Sequence, residues 1–243
     1  ITGIAGVDRT ITFSFYIPEK RADNSSILDT TTPNPLAITN NSSAAGTYLS
    51  TALTPVTASD TITAKAVALQ KSGAIVTPDN GPAGLSAGDT VEYTLNGQVS
   101  DYFTVGNLVV TDKLGDGQTY DSSFIPTWTV DCGGAPAASG TFTGSDITVT
   151  SNKCTGVNTP PGCDGTTSIQ LALSSAMGGS EQLAGAVDGS QCTFTIKLRS
   201  TIDNAYTGPV NGTDILSAGD NVANSSNVKF TVSGGDEITE ATS

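Results

Sequence analysis

The chain contains no histidine in 243 residues. Its absence removes the side chain that most often moves protons near neutral pH and most often ligates zinc, which argues against the common hydrolase mechanisms. Cations are scarce as well: 10 Lys and Arg stand against 23 Asp and Glu, for a formal net charge of -13. So acidic a chain has no footprint for a phosphate backbone, and nucleic-acid binding is not expected. Only 14 % of residues are charged. The surface must therefore be covered by Thr, Ser, Asn and Gly, of which Thr favours strands. No apolar run approaches the roughly 20 residues that span a bilayer, so membrane insertion is not expected. The chain opens on Ile1 with neither Met nor a charged-then-apolar leader. That is the appearance of a trimmed or exported product.

Four cysteines, an even number, suit an oxidising compartment, and none stands in a Cys-x-x-Cys pair that would suggest redox or zinc chemistry. What the chain does have is period-two alternation. Val91, Tyr93 and Leu95 alternate with Thr90, Glu92 and Thr94, the pattern of a strand with one buried and one wet face. Further strands are expected at 36–44, 61–71, 107–114, 122–132, 141–150, 169–173, 193–198 and 222–232, divided by Gly, Pro, Asn and Asp. Residues 174–186 offer only a short helical turn. The expected fold is all-β: an antiparallel sandwich of Greek-key type over residues 64–234. An N-terminal strand arm and partial β repeat precede it at 1–63, and a frayed acidic tail follows at 235–243.

In the arm, Ile11, Phe13, Phe15 and Ile17 form one face of a strand that Pro18 ends. It is either a strand of the chain's own sheet or a donor strand that pairs with the open edge of a neighbouring subunit. The following loop holds Asp23, Asn24 and Asp29, whose spacing matches no EF-hand. No metal site or cofactor is implied. Asn-x-Ser/Thr triplets occur at Asn24, Asn40, Asn41, Asn211 and Asn224, and exposure must decide whether any carries a glycan. Tyr102, Phe103, Tyr120 and Trp128 are the one cluster suggesting sugar stacking, and Trp128 reads better as core. Asp116 and Asp121 sit in Gly-rich turn sequence and read as turn chemistry rather than a catalytic carboxylate pair.

Four cysteines allow three pairings. Cys132 and Cys192 lie on apolar phases of strands, where a bridge would cross the core between sheets, and Cys154 and Cys163 flank a loop of turn formers. If the strands near 169 and 193 form a hairpin, Cys163 and Cys192 fall at its opposite ends, beyond disulfide reach. Cys132–Cys192 with Cys154–Cys163 is the favoured pairing. Other pairings and free thiols stay open.

Three polar residues occupy positions where alternation demands core. Lys71 follows Val67 and Leu69 in phase, Asp112 lies between Val110 and Leu114, and Asn224 stands between Val222 and Val228 at strand spacing. A lone buried ammonium or carboxylate is expensive and needs a partner or must become neutral. Desolvation lowers the pKa of a buried Lys and raises that of a buried Asp, so a neutral amine and a protonated acid can coexist. Such an amine can attack the Asn224 side-chain carbonyl with Asp112 as proton donor, which yields an isopeptide bond. A buried Lys71–Asp112 salt bridge is the plainer alternative.

Several segments combine here: Lys71-Ser72, Ser86-Ala87-Gly88-Asp89-Thr90-Val91-Glu92-Tyr93-Thr94, Val110-Thr111-Asp112-Lys113-Leu114 with Gly117-Gln118-Thr119-Tyr120, and Asn221-Val222-Ala223-Asn224. Together they resemble the tandem immunoglobulin-like repeats of large bacterial surface proteins and the isopeptide-forming domains of fimbrial subunits and adhesins. Ile38-Thr39-Asn40-Asn41-Ser42-Ser43-Ala44 resembles a second copy of the closing strand, as though the chain starts inside one repeat and continues through the next. The resemblance implies bond-forming roles for Lys71, Asn224 and Asp112. The expected function is a structural subunit of an extracellular filament, sheath or surface layer that associates with itself. An adhesin or carbohydrate-binding surface module, with a surface glycan as partner, is the alternative. Turnover of an external substrate is not expected.

Overall fold

Among the described residues, the long alternating segments pair as strands. The computed structural model describes residues 10, 12, 14, 36–76, 79, 81, 83–100, 103–133, 137–154, 161–179, 183–185, 191–208, 215–216, 222–232 and 237–242. β1 (Leu36–Ala44) leads through β2 (Thr47–Tyr48) and β3 (Thr51–Ala52) to β4 (Val56–Ala64), a hairpin with a smaller hairpin at its tip. β5 (Val67–Ile75), β6 (Thr90–Val99), β7 (Thr104–Leu114) and β8 (Gln118–Tyr120) follow. Next come β9 (Thr127–Asp131), β10 (Ala138–Thr141), β11 (Ile147–Ser151) and β12 (Thr167–Ala172). A one-turn helix, α1 (Leu173–Ala176), precedes β13 (Leu183–Ala184), β14 (Thr193–Ile202), β15 (Asn224–Val232) and β16 (Glu237–Ala241).

From β5 onward the strands form two antiparallel sheets, one ordered β10-β9-β14-β6-β5 with β8 added on β14, the other β11-β12-β7-β15-β16 with β13 added on β7. The chain crosses between them repeatedly, the connectivity of an immunoglobulin-like Greek-key sandwich. One core joins both inner faces. Val91, Tyr93, Leu95 and Val99 of β6 and Phe194, Ile196 and Leu198 of β14 meet Leu108, Val110 and Leu114 of β7, Ile169 and Leu171 of β12, and Val228 and Phe230 of β15. Alternation decides which side chains these are, because successive residues of a strand point to opposite faces. Gly97 pairs with Phe194, and a Cβ at position 97 would lie 2.0 Å from the Phe194 ring. The glycine is the space into which that ring packs.

The β1–β4 hairpin differs in kind. Among the described residues β1 and β4 pair only with each other, and Tyr48, Leu49, Leu53 and Val56 are exposed. Ile11, Phe13, Phe15 and Ile17, and with them Asp23, Asn24 and Asp29, lie outside the described residues.

Two expectations need correction. The C-terminal stretch, read as a frayed acidic tail, contains β16, which pairs with β15 and buries Ile238. Its acidic residues hid a strand whose apolar contribution is one side chain. The free backbone edge of β15 supplies the rest, through ladder hydrogen bonds and a Lys229–Glu237 ion pair at 2.8 Å. Second, the favoured cysteine pairing is present, but Cys132–Cys192 does not cross the core. It joins neighbouring strands of one sheet, extending the β9–β14 ladder just beyond the Asp131–Thr193 pair, with Cα atoms 3.8 Å apart. Two apolar-phase residues on adjacent strands point to the same face and meet side by side. Cys154–Cys163 closes the β11–β12 connection. β12 and β14 belong to different sheets, so the hairpin considered from the sequence does not form.

Gly97→Ala is expected to lower stability by about 1–3 kcal/mol through overpacking against Phe194. In a Phe194→Leu background the same change should lose much less. A double-mutant cycle by urea denaturation checks this.

Candidate functional site

The three misfit polar residues converge between the sheets. Lys71 lies on β5, opposite Leu95 of β6. Asp112 lies on β7, flanked by Ile169 of β12 on one side and Ser226 of β15 on the other. Asn224 opens β15 opposite Leu114, two residues from Ser226 and therefore in phase with it. The Lys71 ammonium nitrogen donates to Asp112 Oδ2 across the sandwich. It also sits 4.5 Å from the centroid of the Tyr93 ring, which forms a face of its surroundings. Asp112 is wholly buried and the Lys71 side chain is 10 % exposed. A cavity of about 380 Å³ opens on the group, lined by Lys71, Ser72, Gly73, Tyr93, Val222, Asn224 and Thr242.

Burial governs the protonation of the pair. Desolvation pushes the Lys71 amine below its ordinary value, and the Asp112 carboxylate only partly opposes it. Desolvation pushes the Asp112 carboxyl above its ordinary value, again partly opposed by Lys71. Both shifts favour the neutral pair, an amine and a carboxylic acid. Burial also raises the Tyr93 phenol.

The polar atoms around the pair are under-satisfied. Asp112 Oδ1, both polar atoms of the Asn224 amide and Ser226 Oγ are buried without a hydrogen-bond partner. The Asn224 amide lies near enough to Asp112 and Tyr93 to favour their charged forms, yet neither of its atoms reaches hydrogen-bond geometry. Leaving a buried polar atom unpaired costs about 1–3 kcal/mol. The unsatisfied atoms thus surround a buried amine and carboxyl group with a primary amide beside them.

Sequence reasoning identified Lys71, Asp112 and Asn224 and passed over Tyr93, Gln118 and Ser226. Tyr93 lies beneath the Lys71 amine, and its hydroxyl donates to Gln118 Oε1 at 2.5 Å. Alternation marks Tyr93 as core without showing its hydroxyl's partner. Gln118 belongs to a turn-flanked triplet too short to show phase, so no local signal marks it as buried.

The other sequence candidates do not join this site. Asp116 accepts backbone hydrogen bonds from Gly117, Thr207 and Gly208 at 2.9, 2.7 and 2.7 Å, and Asp121 accepts from Ser123. Both organise turns. Phe103 and Trp128 are buried and Tyr120 packs on the core, so these aromatics build no sugar-stacking face, while Tyr102 lies outside the described residues. Asn40 and Asn41 are exposed on β1, Asn24 and Asn211 lie outside the described residues, and the buried Asn224 amide is closed to a glycan. Among the described residues no helix is long and apolar enough to cross a membrane.

No protein-family model and no curated protein matches the chain. Among solved structures it is similar to the full-length major pilin SpaD of Corynebacterium diphtheriae, at 11 % identity and a TM-score of 0.38, covering 72 % of this chain and 34 % of that one. It is also similar to the collagen-binding domain of the Erysipelothrix rhusiopathiae surface protein RspB, at 14 % identity and a TM-score of 0.37, covering 84 % and 53 %. The pilus backbone protein RrgB of Streptococcus pneumoniae follows at 15 % identity and a TM-score of 0.36, covering 70 % and 32 %. The chain thus spans about a third to a half of the length of these proteins. Likeness this distant carries no function across, and the fold stands on its own topology.

Lys71→Met leaves Asp112 desolvated without its cation. A carboxyl held above its ordinary value of 3.8 contributes stability below that value and loses it as pH rises through the raised one. Stability of Lys71→Met is therefore expected to fall as pH rises from about 4, with a total loss of about 3–5 kcal/mol at neutral pH. Lys71→Met/Asp112→Leu should lack that slope. Urea midpoints across a pH series check both.

Proposed function

We propose that the chain is a structural subunit of an extracellular filament, sheath or surface layer, and that its sandwich is closed by an isopeptide bond between Lys71 and Asn224. The observation that carries this reading is the buried Lys71–Asp112 pair with the unbonded Asn224 amide beside it. The neutral Lys71 amine attacks the Asn224 side-chain carbonyl carbon while Asp112 donates its proton to the carbonyl oxygen. Asp112 then takes a proton from the attacking nitrogen and passes it to the departing one, and recovers its own proton as the oxygen returns to a carbonyl. One Nζ–Cγ bond forms, one Cγ–Nδ2 bond breaks, ammonia leaves, and no oxidant is consumed. The reaction occurs once per molecule and uses no external substrate, so it is maturation rather than enzymatic turnover.

The location suits a load-bearing role. β5 enters the sandwich and β15 nearly closes it, and the two lie in different sheets. Tension along the chain shears such strands apart through hydrogen bonds and apolar contacts alone, and a covalent link between them bypasses both. The two disulfides add closure of the kind found in exported proteins. In this reading residues 64–234, extended by β16, are one complete sandwich, and residues 1–63 are an arm and partial repeat. The face of Ile11, Phe13, Phe15 and Ile17 then serves a neighbouring subunit's open edge.

Two measurements test the proposal. Intact mass under reducing conditions is expected one ammonia below the sequence mass, with Lys71→Arg and Asn224→Ala each at its own sequence mass. A wild-type mass equal to the sequence mass removes the bond. Imaging the full chain over a concentration series is expected to show filaments, and deleting residues 1–18 to leave monomers. Filaments from the truncated chain would rule out the donor arm, and a full chain that stays solitary at every concentration would rule out the subunit role.

A further inference from the structure

We infer that Gln118 is a positioning residue for bond closure: it holds the backbone immediately before Asn224 and, through the Tyr93 hydroxyl, the ring beneath Lys71. The inference rests on the isopeptide reading and adds to it a part that neither alternation nor the three reacting residues supply.

Gln118 is wholly buried on β8, paired opposite Ile202 of β14 in the sheet that carries Lys71. Its side chain reaches the other sheet. Nε2 donates to the Ala223 carbonyl at 3.1 Å, and Oε1 accepts from Tyr93 at 2.5 Å and from Ser200 at 3.0 Å. A buried amide with both ends engaged has little rotational freedom, so these four residues form one rigid connection across the sandwich. Ala223 is the residue before Asn224, and its carbonyl is held a second time by the Gly115 N–H at 2.8 Å. A Cβ on residue 115 would fall 2.3 Å from that oxygen, so only glycine lets the end of β7 approach so closely.

The consequence is geometric. The Asn224 amide makes no hydrogen bond of its own, so its aim is set by its backbone. That backbone is pinned on one side by Leu114 and Gly115 of the opposite-strand segment and on the other by Gln118. The nucleophile's surroundings are fixed by the same amide, because the Tyr93 hydroxyl that anchors the ring under Lys71 donates to the Gln118 oxygen. Nucleophile and electrophile lie on different sheets, and a shift of about 1 Å between reacting groups slows a reaction by roughly 100-fold. Gln118 ties both to one point.

Closure can be followed by intact mass during a cell-free synthesis chase, counting only molecules that resist limited proteolysis. Gln118→Met keeps the volume and removes donor and acceptor. We expect it to lose ammonia about 10- to 100-fold more slowly than wild type, with the pH dependence of the rate unchanged, since Gln118 transfers no proton. Asp112→Asn, by contrast, should abolish closure. Tyr93→Phe keeps the ring and removes the hydroxyl, so it should slow closure in the same direction and by less, and it decides the matter if Gln118→Met does not fold. A wild-type rate in the variant that folds overturns the positioning role and leaves the bond standing. A slowed rate with an altered pH profile overturns it too, in favour of proton transfer. Wild type that never loses ammonia overturns both readings.

Discussion

The Lys71–Asp112 contact is the constraint around which this sandwich is arranged. A primary amine and a carboxyl group are carried into an apolar core from opposite sheets, where desolvation disfavours both charges. Replacing such a pair with apolar side chains of similar volume is often neutral or stabilising, so stability alone does not account for it. In the proposed bond formation, the desolvation that penalises the charges favours the nucleophilic amine and the protonated acid. The same burial that would weaken a simple salt bridge is what the proposed bond formation requires.

Around that contact, the polar groups of the core fall into two classes. Asp112 Oδ1, the Asn224 amide and Ser226 Oγ are unsatisfied, whereas Gln118, Tyr93 and Ser200 are fully engaged with one another. In the proposed bond formation the Asn224 amide is left free and the Gln118 set is locked, the division expected of a preorganised site. The supporting set belongs to one sheet and reaches the other through the Gln118 Nε2–Ala223 bond, so the site exists only once the sandwich has closed. Acidic residues elsewhere are used differently. Asp146 and Asp164 accept hydrogen bonds from neighbouring Thr and Ser groups, which hold their carboxyls below the ordinary range and tie down the loops around β11 and β12.

The exposed β1–β4 hairpin is the part of the chain that its own sandwich does not explain. A two-stranded ribbon without a packed face is marginal in water, and this one carries Tyr48, Leu49, Leu53 and Val56 outward. Its likeness in sequence to the closing strand is consistent with a partial repeat. Pairing does not reproduce β15–β16 residue for residue along that likeness, because Asn41 meets Ser59 within the hairpin whereas Asn224 lies before the first β15–β16 pair.

Most sandwich strands, the all-β class, the core face of the long sandwich strands and the three residues that violate it were legible in the sequence alone, because alternation is local and a misfit in phase is visible within a few positions. Residues 237–241 and Gln118 escaped for the converse reason: one apolar residue, or a three-residue strand, has too little pattern to show phase. Only the tertiary structure decided that Cys132 and Cys192 share a sheet, that Lys71 faces Asp112 across the core, and that Gln118 reaches Ala223. Each of these depends on which strand lies beside or opposite which, and that order comes from closing two sheets over one core, a long-range packing outcome that no window of neighbouring residues contains.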